Sequence, residues 1–61
     1  MPYVNVKVAG NLDKQQKQAI VEGISGLMEK VANKPKSATY VVIDEISRDN
    51  WGKNGELLSR G

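Results

Sequence analysis

The chain has no cysteine and no histidine. No disulfide can staple it and no thiolate can hold a metal. A Ser–His–Asp triad, a Cys–His pair and most zinc sites are excluded as well. Phenylalanine is also absent, and the only aromatic residues are Tyr3, Tyr40 and Trp51. With 61 residues, that leaves a thin core. A chain this short buries only roughly 60% of the surface it exposes when unfolded. Small scaffolds without staples usually lean on a partner subunit, so an oligomer is expected.

Charge of one sign is scarce too. Nine Lys and Arg face seven Asp and Glu, for a net charge of +2. The basic residues are spread singly from Lys7 to Arg60, which describes a solvated surface rather than a phosphate-tracking stripe. A small nucleic-acid-binding module would need clustered cations or stacking aromatics on one face, so no nucleic-acid partner is expected. No apolar run approaches the ~18–20 residues of a membrane span, and no signal peptide is visible. The expectation is no membrane partner and a cytoplasmic location. What is present is ordinary globular composition, 39% hydrophobic and 26% charged, in one domain covering residues 1–61.

Val4, Val6 and Val8 alternate with Tyr3, Asn5 and Lys7, a period of two that predicts a strand with one strongly apolar face. From about Asp13 to Asn33 the period changes. Ile20, Ile24, Leu27, Met28 and Val31 form one helical stripe, on a rod of roughly 30 Å. Asn11 or Asp13 can cap its start, and Pro35 closes its end. Thr39 to Ile43 is a continuous β-rich run, which suggests cover on both faces. Asp44-Glu45 and Ser47 through Asn50 read as polar and turn-like. Asn54-Gly55 is a hairpin signal. The order predicts an α/β (α+β) chain: a β-α-β unit with two parallel strands, one long helix and a short C-terminal hairpin. Such a sheet has a bare face and open edges, which other copies of the chain must cover.

Without His or Cys, few groups can move a proton. Each carboxylate taken alone reads as a solvated surface charge. Asp44 and Glu45 are adjacent in a strand, point to opposite faces and cannot form a catalytic pair. Pro2 is the unusual residue. Initiator Met is commonly removed before proline, which would leave a free secondary amine at the start of a strand. An α-amino group titrates near about 7.7–8.0. Apolar surroundings or nearby cations lower that value, so the neutral amine could accept a proton near neutral pH. If Met1 stays, the Pro2 nitrogen is an amide and cannot act as a base. Alone, Met1-Pro2 is a common and uninformative start.

The whole pattern says more. Met1-Pro2-Tyr3-Val4-Asn5-Val6, the long helix, Val41-Val42-Ile43-Asp44-Glu45 and Asn50-Trp51-Gly52-Lys53-Asn54-Gly55-Glu56 together resemble the 4-oxalocrotonate tautomerase family. The similarity spans essentially the whole chain without a gap. It implies β-α-β protomers that pair into dimers, with three dimers forming a homohexamer. It implies that Pro2 is the general base moving a proton between oxygen and carbon of an enol or 2-oxo acid, with no cofactor. An aromatic tail residue that keeps the site apolar falls on Trp51.

The sequence departs from the family at two arginines that hold substrate carboxylates. Gapless matching puts Leu12 and Tyr40 there. Leu cannot replace a bidentate guanidinium, and a phenol does so only in part. A dicarboxylate substrate is therefore in doubt, although more distant short members also vary at these positions. Tyr40 is expected to donate a hydrogen bond to the oxo group, and Leu12 to add an apolar wall. Lys36 and Lys53 are candidates to bind an anionic substrate, with Lys7 and Arg48 behind them. For each, a plain surface charge is the competing reading. The main expectation is a cofactor-independent isomerase acting on a small anionic 2-hydroxydienoate or phenylpyruvate-like enol. The alternative is a catalytically weak or repurposed family scaffold that binds a ligand.

Overall fold

The structure is a computed structural model and describes residues 1–60. Strand β1 runs Tyr3–Ala9, helix α1 Lys14–Ala32 and strand β2 Tyr40–Ile46. Two short strands follow, β3 (Gly52–Lys53) and β4 (Glu56–Leu57). Single 3-10 turns at Lys36–Ala38 and Arg48–Asn50 flank β2. β1 and β2 pair in parallel, from Tyr3 opposite Tyr40 to Ala9 opposite Ile46. β3 and β4 form an antiparallel hairpin. The β-α-β unit with a terminal hairpin is therefore the architecture found.

Local chemistry explains the boundaries. Asp13 caps α1: its carboxylate accepts from the Gln16 backbone N–H at 2.7 Å, and the Gln16 side chain accepts from the Asp13 N–H at 2.9 Å. This capping box satisfies two otherwise orphaned groups. Asp13→Ala is expected to cost about 1 kcal/mol, read as a lower urea midpoint at fixed protein concentration. At the other end Asn33 takes a left-handed conformation with φ 58°, and Pro35 prevents continuation. In the hairpin, Asn54 and Gly55 both have positive φ, 54° and 80°. Those are the angles that a two-residue turn of primed type demands.

β2 is longer than its apolar run. Asp44 and Glu45, which read as the start of a turn, continue the strand to Ile46 because each finds an ionic partner. Glu45 reaches Lys17 on α1, so Glu45, Ile43 and Val41 face the helix, as do Val4 and Val6 opposite them. The other face carries Tyr3, Asn5, Lys7, Tyr40, Val42 and Asp44. Cover on both faces is not found within one chain: Tyr3, Tyr40 and Val42 are 64%, 57% and 41% exposed. One helix can shield only one side.

Among the described residues no apolar side chain is buried, and Ser25, 8% exposed, is the one buried residue. The radius of gyration is 14.4 Å, against about 10 Å for a compact chain of this length. The thin core expected from composition is thus thinner still, and the shape is elongated, 43 × 23 × 15 Å.

Candidate active site

Parallel pairing puts the starts of both strands at one end of the sheet. Pro2 lies there, half-buried. Its carbonyl accepts a hydrogen bond from the Tyr40 N–H at 3.0 Å, extending the ladder by one step. Tyr3 and Tyr40 stand opposite each other in register. With Met1 and Val42 they line an open hollow of ≈ 570 Å³. No charged side chain is among those lining it. Pro2 is joined to three of the four lining residues, Met1 and Tyr3 along the chain and Tyr40 through the backbone hydrogen bond.

Beyond this apolar end the same face turns polar. Asn5 Nδ2 and Lys7 Nζ both donate to Oδ2 of Asp44, at 3.0 and 2.9 Å. Lys7, with Asn5 adding a second donor, holds the Asp44 carboxyl below its ordinary 3.8. On the helix side, Lys17 and then the Leu12 backbone N–H hold the Glu45 carboxyl below its ordinary 4.5. Both carboxyls bind protons less readily folded than unfolded. Their contribution is complete above the ordinary carboxylate range and is lost as pH falls below it. The urea midpoint is expected to drop between pH 6 and pH 3, and the double variant Asp44→Asn, Glu45→Gln should flatten that limb.

Of the residues singled out by sequence, one chain brings only Tyr40 to Pro2. Leu12 lies past the far end of β1, on the order of 20 Å along the strand, where its N–H bonds Glu45 at 2.8 Å. Trp51 also follows the far end, because β2 runs parallel to β1; it is half-buried, and its carbonyl accepts from Leu58 N–H at 2.8 Å. Lys53 sits exposed in β3. Lys36 precedes β2, but its stem lies by Gly26 of α1 and its backbone N–H faces Glu29 at 3.4 Å, behind the sheet. Lys7 is engaged by Asp44, and Arg48 is exposed in a turn. Tyr3 and Val42 were not singled out as site residues. Aligning the two strand starts would have found Tyr3, since parallel pairing sets it beside Tyr40. Among the described residues no group of three acidic side chains is placed to hold a metal ion. No helix among them is long and apolar enough to cross a membrane.

A proline directly before the first strand, a covering helix, a parallel second strand and a terminal hairpin define a β-α-β tautomerase fold. A family model described as tautomerase enzyme matches residues 2–61. A Helicobacter pylori protein named as a probable tautomerase is 44% identical over 61 residues, covering 95% of this chain and 90% of the relative. The crystal structure of DmpI from Helicobacter pylori superposes with a TM-score of 0.88 at 39% identity, covering 95% and 91%. A 4-oxalocrotonate tautomerase isozyme structure from Methylibium petroleiphilum shares the fold, with a TM-score of 0.89 at 24% identity and coverage of 95% and 94%. The chain belongs to the tautomerase family, a family of isomerases.

Proposed function

We propose that this chain is a cofactor-independent keto–enol tautomerase for a small anionic enol of a 2-oxo acid, with Pro2 as general base once Met1 is removed. The observation that carries the reading is the position of Pro2, bonded to the Tyr40 backbone at the strand end, where Tyr3, Tyr40 and Val42 remain as apolar neighbours once Met1 is gone. An apolar wall disfavours a charged amine and lowers its pKa.

The neutral proline nitrogen takes the enol O–H proton. The electron pair of that bond becomes the C=O π bond, and the conjugated alkene shifts. The prolyl ammonium then returns its proton to carbon, restoring the base. Charge that develops on oxygen needs a donor, and we assign that role to the Tyr40 phenol, which lines the hollow. Trp51, Leu12 and Lys53 lie too far along their own chain to serve the same site. They join it if a second copy runs antiparallel and presents its far end. That arrangement fits a homohexamer built as a trimer of dimers. Lys36 precedes β2 at the Pro2 end, but its stem lies by α1 behind the sheet, so it is not assigned to the anion.

A second reading is a family scaffold with little activity, favoured by a hollow that no charged residue lines. One assay separates the two. Enol-to-keto conversion of 2-hydroxymuconate and phenylenolpyruvate is followed with protein whose mass shows Met1 removed, and with protein retaining it. Acceleration by the free-amine form alone supports the tautomerase. Equal, slow conversion by both refutes it.

A further inference from the structure

The segment leading from β1 into α1 is pinned at three places. The Gly10 N–H donates to the Ile46 carbonyl at 2.9 Å, and its φ of 97° turns the chain off the sheet. The Leu12 N–H donates to Oε2 of Glu45 at 2.8 Å. The Asp13 N–H enters the capping box of α1. The middle bond differs from the other two, because its acceptor is a side chain 33 positions away. The other oxygen of Glu45 meets Lys17. The first turn of α1 carries no acidic side chain, and a cation near a helix start opposes the dipole. Glu45 offsets Lys17 from the neighbouring strand, so one carboxylate ties loop, strand and helix together. This clamp lies on the side of the sheet that α1 covers. It is complete within one chain and does not depend on how a second copy closes the other face.

Resting on the tautomerase reading above and its second copy, we propose that Glu45 is a positioning residue: by holding the Leu12 backbone it fixes the apolar wall that Leu12 brings to Pro2 of a neighbouring copy. Glu45 touches neither substrate nor Pro2 and acts through the loop. A wall held in place disfavours the charged amine. A loop that wanders leaves the amine in wetter surroundings, and less of the base is neutral at pH 7. The Leu12 bond is exposed to solvent, so water can replace the carboxylate and the fold survives its loss. What is lost is the placement of Leu12.

The test uses the free-amine protein in its native assembly. The nitrogen resonance of Pro2 reports its titration without turnover, and the pH–rate profile for phenylenolpyruvate reports it through catalysis. Two conservative variants separate reach from charge. Glu45→Asp keeps the charge, but its shorter stem draws the carboxylate away from the Leu12 N–H. Glu45→Gln loses the charge but keeps an acceptor at the right length. In Glu45→Asp both readouts are expected to move up by about half a pH unit or more, with a loss of kcat/KM at pH 7 of up to about threefold. Glu45→Gln should leave them in place. A through-space effect of the charge would move Glu45→Gln instead, and downward, because losing an anion disfavours the ammonium. Leu12→Ala, which removes the wall and keeps the N–H, should reproduce the upward shift, and Glu45→Asp should add nothing to it in the double variant. Lys53, the cation brought by the same second copy, is unchanged in every variant. An unmoved titration in Glu45→Asp, or an equal shift in Glu45→Gln, overturns the positioning role. An unmoved titration in Leu12→Ala overturns it too, whether or not the Glu45 variants assemble. If enol turnover persists without these shifts, the tautomerase reading stands and the positioning role falls. If no enol is accelerated, the tautomerase reading falls, and the Pro2 nitrogen titration still decides whether Glu45 sets the wall.

Discussion

Dilution alone is expected to unfold this chain. Two melts followed by helix dichroism, at concentrations a hundredfold apart, should differ in Tm by about 10 °C or more. No apolar side chain among the described residues is fully buried. The helix shields one face of a two-stranded sheet, leaving Tyr3, Tyr40 and Val42 to water, while Leu27 and Val31 stay exposed on the helix itself. A lone chain in that condition cannot offset the conformational entropy of ordering its residues. Its folded state must then be supplied by association, and the stability of an obligate oligomer depends on protomer concentration. A monomer would give superimposable melts, and that result would remove the oligomer from the account.

Leaving one residue on Pro2 is expected to lower kcat/KM by about a thousandfold or more, with the melt and the assembly unchanged. The nitrogen of an acylated proline has given its electron pair to amide resonance. A positioned general base is worth about 10²–10⁴ in rate, and nothing nearby can substitute for it: the chain has no His or Cys, and the two carboxylates of β2, near its far end, are tied up by lysines. The free-amine form should also gain rate with rising pH until the amine is neutral, while the capped form has no such limb. A capped enzyme of undiminished rate would require a different base.

The fold was legible because its signals are local. Period-two valines, a helical stripe and Asn54-Gly55 each specify an element by geometry that neighbouring residues share, and all three appear where expected. The extent of β2 was not legible. Asp44 and Glu45 look like turn residues until their partners on β1 and α1 are known, and those partners are 37 and 28 positions away. The candidate site was legible in part for the same reason. Pro2 is marked by its position at the start of a strand, and Tyr40 by resemblance. Tyr3 has no mark in its own segment and gains significance only from the register that sets it opposite Tyr40. Leu12 and Trp51 could be named from resemblance, but a single chain holds them at the wrong end of the sheet. In the mechanism proposed above, any part for them depends on an interface that one copy cannot form.

The bond from the Pro2 carbonyl to the Tyr40 N–H has one more effect. Most general bases sit at the tip of a side chain and must be frozen into one rotamer before they can act. The base proposed here has no rotamers. Its φ would be fixed by its ring, and the rest of its backbone is fixed by the sheet. The direction of the nitrogen lone pair is therefore set by the same ladder that holds the fold, and ordering the reactive atom adds no entropy cost beyond that of folding itself.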